Sequence, residues 1–334
     1  MTVGAPQTDA SFTFPGVEYA TGPDEAHATA VAPPALDFGP LSLLAGVWRG
    51  TGFNTIWRPH FPADPQPEFL ELNMTTEKLA FTKIDGLIPN RGLLNPDINM
   101  VGLTYMQQIS QTEDGAGLHI EPGIWALVPA TDDPKLDQTV VRMGSIPHGT
   151  VILAQGDAFT VPSGPEIDDN NIIPFCIGGT PPQNSDFDKA AAGDFEELDL
   201  SKPSVNRFVS PGVTQDMVKN PNLVLRQAIE GKTITSTTVL RVSTTHDNTP
   251  GGGTANTAFL EDGTRPPGCP PGVSFGNANA SVVNAIFWIE TVAGQDGEPD
   301  YLQLQYTQLV QLDFHGLRWP HVTVATLTKQ TNSH

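Results

Sequence analysis

The stretch from Tyr301 to Lys329 constrains the fold of this chain more than any other. Leu302, Leu304, Tyr306, Val310, Leu312 and Phe314 share one face, and Gln303, Gln305, Thr307, Gln311 and Asp313 share the other. A period of two over that length reads as a half-buried antiparallel strand, because a helical period would scatter both sets around an axis. Gly316 marks a turn, after which Trp319-Pro320-His321-Val322-Thr323-Val324-Ala325-Thr326-Leu327 returns as a second strand. His321 heads that strand, with Thr323, Ala325 and Leu327 on its face.

Similar patterns recur along the chain. Strands are expected at Glu68 to Ile84, Val101 to Thr112, Gly117 to Pro129, Thr139 to Met143, Thr150 to Gln155, Lys232 to Thr244, Ser281 to Thr291, Tyr301 to Phe314 and Pro320 to Lys329. A further strand opens at Gly46, where Gly46, Gly50 and Gly52 imply close backbone approach or strong bending. Short turns join most of these segments and no βαβ rhythm appears, so the class is all-β. An antiparallel up-and-down barrel of about ten strands is the expected architecture, since closure also removes exposed edges.

Residues 1–38 carry no sustained period and read as a flexible or draped arm, leaving 39–329 as a single barrel domain. Two loop-rich insertions interrupt it. The first, 157–231, holds Pro162, Pro165, Pro174, Pro181 and Pro182, an acidic tract from Asp186 to Asp199 and one short helix at Pro211 to Lys219. The second, 247–279, holds Gly251-Gly252-Gly253 and a Pro/Gly-rich run around Cys269. Loops of that length are uncommon without a function, and both at one barrel end would form a lid over its mouth.

Composition narrows the partners. Lys and Arg number 17 against 37 Asp and Glu, a formal charge of -20 that repels nucleic acid and acidic membrane surfaces. A small-molecule or apolar ligand is the expected partner instead. The two cysteines, Cys176 and Cys269, allow at most one bridge and no multi-cysteine metal site. With no secretion-signal pattern at the start and no stretch of ~18 apolar residues, the expected location is cytoplasmic.

Three histidines fall in or beside strands: His119, His148 and His321. Each has a plain structural reading. His321 would be a hydrogen-bonded strand-end residue, His119 a core histidine paired with Glu121, and His148 a turn residue between Pro147 and Gly149. His27, His60, His246, His315 and His334 fall in tails, loops or turns. Arg49 and Arg142 read as solvent-facing strand charges, and Trp48 and Trp125 as packing anchors. Gly-x-Ser-x-Gly, His-Glu-x-x-His and Cys-x-x-Cys motifs are all absent from the sequence.

Gly46-Val47-Trp48-Arg49-Gly50-Thr51-Gly52, Leu118-His119-Ile120-Glu121-Pro122-Gly123-Ile124-Trp125, Ile146-Pro147-His148-Gly149, and Tyr306 with His321-Val322-Thr323-Val324-Ala325-Thr326-Leu327 occur in that order. Together they resemble the nitrobindin family, haem-binding barrels of calycin type related in shape to fatty-acid-binding proteins. The resemblance covers roughly 41–157 and 232–329. It implies haem b at one mouth, iron ligated by His321, His119 on the pocket side, and nitric oxide binding or peroxynitrite isomerisation at the distal face.

On that reading Leu302, Leu304, Tyr306, Phe287, Ile289, Trp125 and Met143 supply the apolar lining, and Asp313 or a backbone carbonyl holds the second nitrogen of His321. His119 and His148 would serve proton transfer on nitric oxide chemistry or on an organic substrate. The alternative is a metal-free carrier of a fatty acid or other apolar ligand, with His321 as a polar handle. A metal-free acid/base enzyme acting through His119 and Glu121 is a third reading.

Overall fold

Alternating apolar residues in ten long segments force the chain to curl, because each segment can bury one face only by turning it toward the others. The computed structural model describes residues 36–60, 66–245, 251–261, 276–295 and 297–330. The barrel strands are β1 (Gly46–Pro59), β2 (Glu68–Lys83), β3 (Ile98–Gln111), β4 (Gly117–Val128) and β5 (Thr139–Ile146). They continue as β6 (Thr150–Val161), β7 (Ile234–Ser243), β8 (Asn279–Val292), β9 (Tyr301–Phe314) and β10 (Leu317–Lys329). Every strand pairs antiparallel with its neighbours in sequence, and β1 closes the circle on β10, with Gly52 opposite Ala325.

All ten expected strands are present, with different ends. β5 runs on to Ile146, β6 to Val161, and β10 begins at Leu317 ahead of Pro320. The helix expected from Pro211 spans Gln215–Lys219, with Thr214 capping its Met217 amide. Among the described residues no helix is long and apolar enough to cross a membrane. The N-terminal arm as far as residue 35, with His27, lies outside the described residues, as do His246, Cys269 and His334. Cys176 is exposed.

The last hairpin departs from expectation. β9 is buried on both faces: Gln303, Gln305, Gln311 and Asp313 are as inaccessible as Leu304 and Tyr306. The first insertion is the cause. It lies against the outer wall, where Ile172, Phe187, Leu198, Met217 and Leu225 pack on the outward Phe53, Trp57, Leu70, Leu72 and Val324. Its backbone joins the wall too. Arg207–Val209 adds a parallel strand beside Leu70–Leu72 of β2, and Phe175–Cys176 pairs with β10. Two outward glutamines are partnered here, Gln305 donating to Leu225 O of the insertion at 2.9 Å and Gln303 accepting from Lys232, just beyond it, at 2.6 Å.

This placement corrects the shared lid. The first insertion sheathes the wall and touches the mouth end at one margin, where Ile177 N donates to Gly316 O at 3.3 Å in the β9–β10 turn, and the described part of the second is bonded to the β5–β6 turn of that end. Its Gly253–Asn256 strand pairs with Thr150–Leu153 of β6, where β7 no longer does.

Inside, one end is solid. Trp48, Leu79, Leu103, Trp125, Leu240, Phe287, Leu304, Tyr306 and Leu327 fill it, and the short helix Gly39–Leu43 plugs it with Leu41 and Leu44. Trp48 Nε1 donates to Leu44 O at 2.7 Å, tying the plug to β1. Burying each such side chain contributes about 1.5–3 kcal/mol, so this end carries much of the fold's stability.

The glycine spacing of β1 has the cause read from the sequence. A Cβ on Gly50 would lie 2.1 Å from Thr326 O, and one on Gly52 2.3 Å from Val324 O. Gly50→Ala is therefore expected to destabilise the protein by about 1–3 kcal/mol through forced separation of β1 and β10. Gly117→Ala, where a Cβ meets nothing within 4 Å, should stay within about 0.5 kcal/mol by urea denaturation; equal losses would contradict the tight β1–β10 crossing.

Candidate functional site

Above the solid end, the inward positions of β2, β3, β4, β5 and β9 turn polar. Arg142 is fully buried there, donating through Nη2 to Glu121 Oε1 at 2.7 Å and through Nη1 to Gln308 Oε1 at 2.5 Å. Tyr105 OH donates to Glu121 and accepts from Arg142 Nε at 3.1 Å. Beside this group, Tyr306 OH donates to Glu77 Oε2 at 2.6 Å and accepts from Gln107 Nε2 at 2.9 Å. Two of these strands face the layer with glycine. A Cβ on Gly144 would sit 2.5 Å from Glu121 Oε1, so only glycine leaves room for the carboxylate.

The two buried carboxyls respond differently. Burial opposes the charge of Glu121, but the Arg142 guanidinium outweighs it, with help from His119 and Tyr105, and holds the carboxyl down to about 2. Glu77 has no cation beside it, so burial pushes it up to about 7 despite hydrogen bonds from Tyr306, Thr75 and Gln107.

Beyond the layer the barrel opens into a cavity of about 330 Å³. Ile56, Ile109, Ile146, Val310, Leu312 and Leu260 give it apolar walls, and Gln107 and Gln308 line it from the polar layer. Leu260 comes from the second insertion, whose backbone is fixed to the β5–β6 turn by Thr257 N donating to Gly149 O at 2.8 Å.

His119, His148 and His321 all line this cavity. Period-two spacing puts His119 and Glu121 on the inner face of β4, and His119 Nε2 lies 3.2 Å from Glu121 Oε2. His148 occupies the tight turn closed by Gly149 N donating to Ile146 O at 2.9 Å, and its ring centroid is 5.8 Å from that of His119. Burial, then repulsion by His119, lowers the pKa of His148. On β10, the ring of His321 is enclosed by protein except where it meets the cavity. Burial, then the charges of His119 and His148, push it down to about 3, so it is neutral at ordinary pH.

The other residues read as lining lie elsewhere. Trp125 packs edge-on to Phe287 at 5.2 Å, and Phe287 stacks on Tyr306 at 5.1 Å, all within the solid end. Leu304 and Ile289 belong to the same cluster, against which Leu302 packs. Met143 alternates with the inward Arg142 and so faces out of the barrel, pairing across strands with Leu153. Arg142, read as solvent-facing, is instead the centre of the buried layer. Parity with inward Val140 would have placed it there, but Val141 beside them hides which face is apolar. Asn54, Gln107 and Gln308 were also missed, because polar residues at single inward positions carry no sequence signature.

These positions test the fit of a haem. An axial histidine needs one nitrogen free for iron and the other held by an acceptor. Here His321 Nε2 lies 3.0 Å from Asn54 Nδ2, which also donates to Thr323 Oγ1 at 2.7 Å. Asp313, the expected second-nitrogen partner, is engaged by Arg318 at 2.8 and 2.9 Å. Arranged this way, the residue set does not fit an iron-ligating His321. Among the described residues no group of three or more His, Cys, Asp and Glu side chains is placed to hold a metal ion.

No protein-family model matches the chain, and no curated protein does. Among solved structures, the crystal structure of Rv2717c from M. tuberculosis is similar at 15% identity and a TM-score of 0.38, covering 88% of this chain and 100% of that one.

Glu77 gives the layer a pH signature. Its folded pKa of about 7 lies above the ordinary 4.5, so its stabilising contribution is full below about 4.5 and is lost as pH rises through 7. Glu77→Gln removes that titration. Relative to this variant, the wild type is expected to lose on the order of 3 kcal/mol between pH 4.5 and 8 in urea unfolding. A constant difference between the two would show that Glu77 is ionised in the folded protein.

Proposed function

We propose that the barrel binds a compact, largely apolar molecule with one hydrogen-bonding head group, the apolar body against Ile109, Val310 and Leu312 and the head group at the histidines. The observation that carries this reading is the division of the interior. The polar layer satisfies most of its hydrogen bonds internally, so it closes the cavity floor without calling for a ligand. A ligand then meets apolar walls, three imidazoles and a few further polar groups, among them Asn54, Thr323 and the Arg58–Glu71 ion pair, the mostly apolar combination typical of small-molecule sites. A cavity of about 330 Å³ suits a small bicyclic or medium-chain molecule.

Titration with 1-anilinonaphthalene-8-sulfonate (ANS), an aromatic anion whose naphthalene and phenyl rings are apolar, tests it. One saturable site is expected, with decanoate competing, and Val310→Trp should weaken binding at least tenfold by filling the cavity. Unchanged binding in Val310→Trp would place the dye elsewhere and remove the support for this reading.

Haem binding is the second reading, favoured by one feature: a neutral imidazole, His321, on the cavity wall. It requires Asn54 to give up its contact with His321 Nε2. A saturable one-to-one Soret band with haemin, lost in His321→Ala, would establish it over the carrier. The carrier reading expects no such His321-dependent band.

A further inference from the structure

We infer that Glu121 and His119 form a general-base unit, and that the protein removes a proton from a weakly acidic carbon of the apolar molecule it holds. The inference rests on the binding reading above and adds a reaction to it. Glu121 is wholly buried and immobilised, with one oxygen committed to Arg142 and Tyr105. Its other oxygen faces His119 Nε2 at 3.2 Å. An ionised carboxylate can only accept, so His119 Nε2 carries the hydrogen and donates it. In the neutral ring Nδ1 then keeps the lone pair and is the base.

This arrangement exceeds what stability asks of it. Arg142 already neutralises Glu121, so His119 is not needed to offset the buried charge. What His119 gains from Glu121 is a fixed tautomer and a counter-charge for the imidazolium formed on taking a proton. The charged and titratable groups sharing its surroundings are Glu121 on the same strand, Arg142 behind Glu121 from β5, His148 from the β5–β6 turn, His321 from β10, and the Arg58–Glu71 pair of β1 and β2 across the cavity. His148, 5.8 Å away between ring centroids, is the nearest imidazole to pass the proton on.

A compact carbon acid, 5-nitrobenzisoxazole, is a suitable probe. His119 Nδ1 takes its C3 proton, the C–H electron pair becomes the second π bond of a nitrile, and the N–O bond breaks. Oxygen keeps that bonding pair as a coloured phenolate, His119 returns its proton to solvent, and no oxidant or reductant is needed. The experiment uses the full chain and follows phenolate release across pH, with ANS affinity measured in parallel.

Saturable turnover at least about 100-fold faster than equimolar free imidazole is expected. His119→Gln should abolish that excess while the protein still binds ANS saturably, since Glu121 and Arg142 remain paired and the apolar wall of Ile109, Val310 and Leu312 is unchanged. Equal turnover in wild type and His119→Gln, or no turnover by protein from which the probe displaces ANS, would overturn the general base and leave the binding reading standing. A probe that neither displaces ANS nor turns over, in protein that also fails to bind ANS at the Val310 site, would overturn both.

Discussion

Arg142 and Glu121 bring two full charges inside a β-barrel, where each costs several kcal/mol to desolvate unless its geometry is nearly complete. Completion is what the surrounding residues supply. Gln308 takes one arm of the guanidinium, Tyr105 bridges both partners, and Gly144 withholds the Cβ that would displace the carboxylate. Breaking such a pair from one side costs about 3–5 kcal/mol, so the sequence on four strands is tied to this one contact. Because the layer is polar and crowded, apolar packing stops at it. The plugged end lies on one side and the open cavity on the other.

A second constraint comes from outside. A barrel wall is ordinarily polar and wet, yet here β1, β2, β9 and β10 carry apolar residues outward and are covered by the first insertion. The sheath makes the wall a two-sided sheet, with the buried Gln305 bonded to insertion backbone. The second insertion contributes to the cavity itself, bringing Leu260 to its lining. The long loops thus have separate tasks, one stiffening the wall that holds His321 and the other shaping the opening.

The ten strands were legible because period two survives even where both faces are buried: Gln303, Gln305 and Gln311 still alternate with Leu304, Tyr306 and Val310. What period two could not reveal is that the glutamine face is covered, because the residues covering it lie in the irregular insertion. The three cavity histidines were legible from their strand positions, and the His119–Glu121 contact from their spacing. Arg142 was not, since a charged residue reads as exposed unless its partner is known, and Glu121 is remote in sequence. Met143 failed as a cavity residue by parity, facing out beside the inward Arg142, and Trp125 and Tyr306 failed for a different reason. Alternation fixes the face of a strand, not the height along the barrel at which packing gives way to open space.

Methyl NMR of the protein with labelled Ile, Leu and Val, titrated with ANS, tests most directly the claim that the charge layer divides a filled end from a ligand cavity. The Ile109, Ile146 and Val310 methyls above the layer should shift with saturation, while Leu240, Leu304 and Leu327 below it stay in place. Shifts below the layer, or confined to the outer wall, would contradict the account.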